Sequence, residues 1–258
     1  MRLTGRAIGP GRASGVVLAS PHPFSFLGGV NAETGALLDD TGNRLAGRVF
    51  AFPHGKGSTV GSYVLYGLSK RGIGPAAIVN ERAETIVAVG AILAGIPIVD
   101  RVDVHGLQTG DRATVDGDRG HVELPGVRAQ RVVSAVLRNR GRILIVRRSL
   151  EVGSFLGHWS VVSGHLEGRE DPADRARREI REETHVRYPV LRAESPPLLA
   201  RHESTMYVVH PFLFDVPSRR VRLDWENMDS RWIRPKDLRR FKTVPRLADV
   251  VSTVLNRV

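Results

Sequence analysis

The chain has 258 residues, 41% apolar and 25% charged, with no cysteine and a formal net charge of +11. That excludes a disordered or collagen-like chain and leaves room for one large domain or two ordinary ones. Without cysteine it can hold neither a disulfide nor a thiolate-bound zinc or iron–sulfur cluster, so any such centre belongs to a partner.

The N-terminal segment is interrupted by Gly9, Pro10 and Gly11 before an apolar signal core forms, and it reads as a strand and turn. Short β-branched runs bounded by Gly, Pro or Asp then predict strands at Arg6 to Leu18, Val49 to Phe52, Ala76 to Asn80, Ile86 to Val89 and Arg112 to Val115. Ser62 to Arg71 carries Val64, Leu65 and Leu68 on one face and stops at Gly72, the pattern of a short helix. Val87 to Leu93 is a second helix candidate that overlaps the strand at Ile86, and both readings stay open. Strands alternating with short helices predict a small α/β domain ending in the hairpin-like Thr114 to Leu124. The longest apolar run, Ile86 to Val99, contains Gly90, Gly95 and Pro97 and falls short of the roughly 20 residues a membrane span needs. A cytoplasmic protein with no membrane partner is the expectation.

Pro125 and Gly126 mark a boundary, giving domains 1–126 and 127–258. The pattern restarts with strands at Val132 to Leu137 and Arg142 to Arg147, joined by the turn Asn139-Arg140-Gly141. A short strand at Trp159, Val161 and Val162 follows. Pro172 to Thr184 is a helix, with Asp171 as cap, Pro172 in first position and Asp174 in the first turn. Strands at Met206 to Phe214 and Ser230 to Ile233 precede a terminal helix, Pro245 to Leu255.

Charge divides along the same line. Residues 1–127 hold 12 Lys+Arg against 11 Asp+Glu, and residues 128–258 hold 26 against 16. Only Lys56, Lys70, Lys236 and Lys242 are lysines, so the excess is arginine, which suits phosphates or nucleic acid.

Residues 164–186 read GHLEGREDPADRARREIREETHV. Glu179, Glu182 and Glu183, at i, i+3 and i+4, place three carboxylates on one helical face. Such a cluster needs compensation, either from the nearby Arg175, Arg178 and Arg181 or from a divalent cation. The segment resembles the signature of the Nudix hydrolase family, GX5EX7REUXEEXGU, at Gly164, Glu170, Arg178, Glu179, Ile180, Glu182, Glu183 and Val186. It departs at His185, where the family has glycine, and Ser163 also replaces a frequent glycine. Trp159, Glu226 and Trp232 fit the family outside the box. The resemblance implies an α/β/α sandwich that hydrolyses a nucleoside diphosphate-linked or related diphosphate with Mg²⁺ or Mn²⁺. It assigns Glu179, Glu182 and Glu183 as metal ligands and pairs Glu170 with Arg178. The water-activating base is one of the three ligands, with Glu182 the foremost, or an outside carboxylate such as Glu203 or Glu226.

Residues 53–63, PHGKGSTVGSY, link the strand ending at Phe52 to the following helix. Successive N–H groups in such a loop, with a helix N-terminus, favour an anion or a developing oxyanion. It is not a Walker A loop, because Gly-Lys is followed by glycine. Residues 1 to about 124 resemble the small subunits of archaeal phosphomevalonate dehydratase, the aconitase X family. The likeness runs through GRAIGPGRASGVVL at 5–18, FSFLGGVNAETG at 24–35, FPHGKGSTVGSYVLYGL at 52–68, GPAAIVNERAETIVAVGAILAGIPIVD at 74–100 and TGDRATVDGDRGHVEL at 109–124. It implies a swivelling β/β/α domain in which Ser58 is the proton acceptor, supported by Lys56 and the N–H groups near Gly57. Ser62 is a second candidate, read as a helix cap. The implied reaction removes water from mevalonate 5-phosphate to give trans-anhydromevalonate 5-phosphate, in the mevalonate route to isoprenoids. The family's iron–sulfur cluster lies on a separate large subunit, in line with the missing cysteines.

The expectation is therefore an α/β two-domain chain, a dehydratase small subunit fused to a Nudix pyrophosphohydrolase. One alternative keeps only the Nudix activity and makes the first domain a scaffold. Another makes the basic half a nucleic-acid-binding or regulatory module with a disabled box. The lack of an aromatic stacking motif argues against nucleic acid.

Overall fold

Gly11 splits the first predicted strand, because its φ of 108° turns the chain back on itself. In the computed structural model, which describes residues 1–39 and 41–258, the first unit (Met1–Arg128) contains an eight-stranded sheet. Its strands are β1 (Arg2–Thr4), β2 (Arg6–Gly9), β3 (Arg12–Ala19), β4 (Val49–Phe52), β5 (Ala77–Asn80), β6 (Ile98–Asp100), β7 (Arg112–Asp116) and β8 (His121–Glu123), in the order β1-β8-β7-β3-β4-β5-β6-β2. The central strands β3 to β6 run parallel. All of β4, β5 and β6 is buried, as expected for parallel strands covered on both faces.

A short turn, α1 (Phe26–Gly29), precedes β4. Helices α2 (Val60–Lys70) and α3 (Thr85–Ala94) follow β4 and β5 as crossovers. Phe26, Phe50, Phe52, Leu65, Leu68, Ile78, Val87 and Ala91 form the core. The strand expected at Ile86 to Val89 is instead inside α3. Val87, Gly90 and Ala91 recur at helical spacing on its buried face, and Gly95 closes it in the left-handed conformation at φ 68°. The strand lies further on, at β6, which the sequence pattern did not reveal. Gly90 lets α3 approach α2 closely, since a Cβ there would lie 2.9 Å from the Ser62 Cα.

The second unit (Ala129–Val258) has its own eight-stranded sheet. Its strands are β9 (Arg128–Asn139), β10 (Arg142–Arg148), β11 (Trp159–Ser160), β12 (Val162–His165), β13 (Val190–Glu194), β14 (Leu198–His202), β15 (Thr205–Asp215) and β16 (Asn227–Ile233). The β9–β10 hairpin turns on Arg140 and Gly141, both with positive φ. Alternate residues then face opposite ways. Val133, Ala135, Leu137, Leu144 and Val146 pack with Ala176 and Ile180 of α4 (Pro172–Thr184). Val136, Ile143 and Ile145 pack with Leu247, Val250, Val251 and Val254 of α5 (Leu247–Leu255). The result is a sheet between two helices, so the whole chain has an α/β two-domain architecture. Among the described residues no helix is long and apolar enough to cross a membrane.

Candidate functional site

Helix α4 carries the acidic cluster of the second unit. Asp171 caps it, accepting from the backbone N–H groups of Ala173 (2.9 Å) and Asp174 (3.0 Å), with Pro172 in the first turn. The helix ends at His185 in the left-handed conformation, φ 58° and ψ 17°. The His185 Nδ1 donates to the Arg222 carbonyl oxygen at 3.0 Å, which offsets the cost of a side chain where glycine is preferred.

The three carboxylates are not equivalent. Glu179 and Glu183 are 4% and 3% exposed, while Glu182 lies on the solvent side. The Ser163 N–H donates to Glu183 Oε1 at 2.9 Å, and Asn227 Nδ2 donates to Oε2 at 2.7 Å, so β12 and β16 hold this side chain from two directions. Burial still pushes its carboxyl well above the usual range. Glu179 fills the space beside Gly164: a Cβ there would lie 1.8 Å from Glu179 Oε1, so any larger residue would have to displace the Glu179 side chain. Burial raises the Glu179 carboxyl to about 7, partly offset by its ion pair with Arg175 and reinforced by Glu182 and Glu226. Arg178 pairs with Glu170, tying the helix to the preceding loop.

Glu226 joins this cluster from the segment before β16. Burial and then Asp224 raise its carboxyl, and it also feels Glu182, Arg148 and Arg175. Glu203, the other outside candidate, lies at the exposed tip of the β14–β15 hairpin with φ 49° and does not line the cavity that Glu179 and Glu226 share. That cavity, of about 160 Å³, has Glu179, Glu226, Arg148, Arg175 and His165 on its polar side. Val132, Ala200, Val209 and Leu247 form an apolar wall. The Phe155 ring, set by a positive φ, lies against His202 at 4.6 Å and Tyr207 at 6.1 Å. Burial, then the charges of Arg148 and Arg175, lower the His165 pKa and so favour its neutral ring. Trp159 packs against Phe241 in the core, and the Trp232 indole donates to the Arg219 carbonyl at 2.9 Å.

Oxygen donors of this kind suit a hard divalent cation, and Glu179, Glu182, Glu183 and Glu226 are the residues that would hold one. Sequence reasoning missed Arg148, His165, Asn227 and Phe155 as members of the site, because they come from separate strands and a loop with no shared spacing. The Arg175–Glu179 pair alone left a signal, its i, i+4 spacing.

In the first unit, the loop 53–59 leaves the carboxyl end of β4. Gly55 pairs with Phe24, and the Lys56 N–H donates to the Phe24 carbonyl at 2.9 Å. Gly57 has φ 96°, and a Cβ there would lie 2.8 Å from Ser25 Oγ. Lys56, Gly57 and Ser58 are exposed, and Ser58 Oγ accepts from the Val60 N–H at 3.3 Å, at the start of α2. Ser62 is not a cap: it lies inside α2 and donates to the Ile86 carbonyl at 2.9 Å, fastening α2 to α3. The loops after β5 and β6 bring Glu81, Asp103 and His105 together, with His105 Nδ1 3.2 Å from Glu81 and 3.3 Å from Asp103.

Comparison with known proteins divides the chain in the same way. Residues 2–124 match the family model described as the aconitase X swivel domain, and residues 128–254 match the NUDIX domain. The phosphomevalonate dehydratase small subunit of Pyrococcus furiosus is 52% identical over 128 residues, covering 48% of this chain and 96% of that protein. Among solved structures, the holo-form of aconitase X from Thermococcus kodakaraensis is 52% identical, covers 48% of this chain and 98% of that one, and has a TM-score of 0.47. The MutT protein of Methanosarcina mazei is 22% identical, with coverage of 49% and 92% and a TM-score of 0.43.

Proposed function

The chain belongs to the phosphomevalonate dehydratase small-subunit family through its first half and carries a NUDIX domain in its second, and on that premise we propose that it joins two enzyme components in one polypeptide. The first, residues 1–126, associates with a separate large subunit that carries the iron–sulfur cluster. Together they remove water from mevalonate 5-phosphate to give trans-anhydromevalonate 5-phosphate. The second, residues 127–258, is a metal-dependent hydrolase of a diphosphate.

In the first component Ser58 accepts the proton. A serine hydroxyl is a poor base near neutral pH, so its alkoxide needs stabilisation from the N–H groups about Gly57 and from Lys56. The pair of subunits is supported by two facts about this chain. It has no cysteine for a cluster, and α2 and α3 leave large apolar side chains in solvent, with Tyr63 at 73% and Leu93 at 61% exposed, alongside Val60 and Ile92.

In the second component Glu179, Glu182 and Glu183 would hold Mg²⁺ or Mn²⁺, with Glu182 or Glu226 as the base that takes a proton from water. The cation, when bound, neutralises the diphosphate and makes water more acidic. Gly164 gives Glu179 its space, Glu170 and Arg178 brace the helix, and His165 with Arg148 lines the cavity. The observation that carries this reading is the meeting of Glu179 and Glu226 in one cavity that Arg148, Arg175 and His165 also line, with Glu182 and Glu183 on the same helix as Glu179. His185 gives no ground for a disabled box, since its hydrogen bond to Arg222 preserves the helix end.

The test has two arms. Co-expressed with a candidate large subunit, the wild-type chain should dehydrate mevalonate 5-phosphate and Ser58→Ala should not; activity surviving the substitution removes Ser58 from the reaction. Separately, Glu182→Gln should lose metal-dependent hydrolysis across a panel of nucleotide and prenyl diphosphates, and unchanged turnover would place the site elsewhere.

A further inference from the structure

The α4 carboxylates do not close around a point. Glu183 commits both oxygens to Ser163 and Asn227, and Glu179 turns to Arg175. Among the described residues, the His and carboxylate group whose ligand atoms lie within 4.8 Å of one another is Glu81, Asp103 and His105, in the other unit. What stands beside Glu179 is a guanidinium. Arg175 is one helical turn away, its side chain is 21% exposed, and it lines the same cavity. Its Nε is buried with no hydrogen-bond partner among the described residues, whereas the Nε of Arg148, across the cavity, is tied to the Ser154 carbonyl at 3.0 Å.

A divalent cation and a guanidinium compete for one carboxylate, because their mutual repulsion in a partly buried site weakens the hold of each. A buried donor without a partner is also costly, and a phosphate oxygen satisfies it with the planar, two-pronged geometry a guanidinium prefers. We propose that Arg175 is an exchangeable counter-cation: it neutralises Glu179 in the free enzyme, yields that carboxylate to the divalent cation, and turns to the diphosphate. This rests on reading the second unit as a metal-dependent diphosphate hydrolase. Arg175 then couples metal and substrate binding, each favouring the other.

The coupling can be read without turnover, on the full chain, by Mn²⁺ binding followed by electron paramagnetic resonance, with methylenediphosphonate as a non-hydrolysable probe. Arg175→Met should bind Mn²⁺ about tenfold tighter than wild type when no diphosphonate is present, a gain of about 1.4 kcal/mol. At saturating Mn²⁺ it should bind methylenediphosphonate about tenfold more weakly. Arg175→Lys keeps the charge but loses the fork, so its Mn²⁺ affinity should stay near wild type while its diphosphonate affinity falls several-fold. Equal Mn²⁺ affinity in wild type and Arg175→Met overturns the proposal. If Arg175→Met does not fold, wild-type affinity of Arg175→Lys for the diphosphonate overturns it. Glu182→Gln separates the two levels. If wild type binds no Mn²⁺, or Glu182→Gln binds it as wild type does, the metal-site reading itself falls, whatever Arg175 does.

Discussion

Ser58 stands in solvent with one long hydrogen bond at the start of α2, while Glu179 and Glu183 lie buried with partners on three sides. The first loop presents the Ser58 hydroxyl outward, with exposed apolar helix faces in the same unit. The second site has its own cavity, its own counter-cation and its own hydrogen-bond donors. On the proposed reading, one is half of a site and the other a whole one. The difference teaches where each is fragile: the loop through its partner, the carboxylate cluster through its own packing.

The largest effect should come from filling the space Glu179 uses. Gly164→Ala places a methyl on the Glu179 carboxylate, and a displacement of about 1 Å should cost roughly 10²-fold in hydrolysis. Dehydration with the large subunit should be unaffected. Equal loss in both activities would break the comparison.

A pH dependence should mark the second unit alone. Glu179 has a folded pKa of about 7, above its ordinary value, so the folded state holds its proton more tightly than the unfolded chain does. Its contribution to stability is complete below the unfolded pKa and is lost as pH rises through about 7, amounting to about 3 kcal/mol without metal. Buried Glu183 and half-buried Glu226 act in the same direction. Asp215, held low by Arg138, acts oppositely but below this window. Hydrogen exchange of the α4 amides in EDTA should therefore quicken from pH 5 to pH 7.5, beyond the intrinsic rate change, with no matching change in α2. A flat profile would show that Arg175 fully compensates Glu179.

Asn227→Ala removes the donor to Glu183 Oε2 and should destabilise the second unit by about 2 kcal/mol, seen in thermal unfolding. The smallest effect belongs to His185→Gly, which relieves a left-handed residue while deleting the bond to Arg222. The two changes should nearly cancel, leaving stability within about 1 kcal/mol and hydrolysis unchanged. A large loss would mean that the histidine does more than end the helix.

Much of both halves is legible in local pattern. The cap at Asp171, the turn at Arg140 and Gly141 and the alternation along β9 and β10 depend on neighbours a few residues away, and they fold as they read. The misreadings have the same origin. Ile86 to Val89 has strand composition, and only packing against α2 makes it helical. β13 and β14 escape notice because β13 is largely exposed and both strands pair with the long β15 from positions that carry little apolar signal.

The same division holds at the site. The sequence by itself determined that Glu179, Glu182 and Glu183 share a helical face, because a period of 3.6 residues is a local property. It also determined that Arg175 lies one turn before Glu179. Only the tertiary structure decided that Glu179 and Glu183 are buried while Glu182 is not, that Asn227 and Ser163 hold Glu183, and that Glu226 faces the same cavity as Glu179. Those outcomes depend on where β12 and β16 pass the helix, and no spacing within α4 encodes the strands that pack against it.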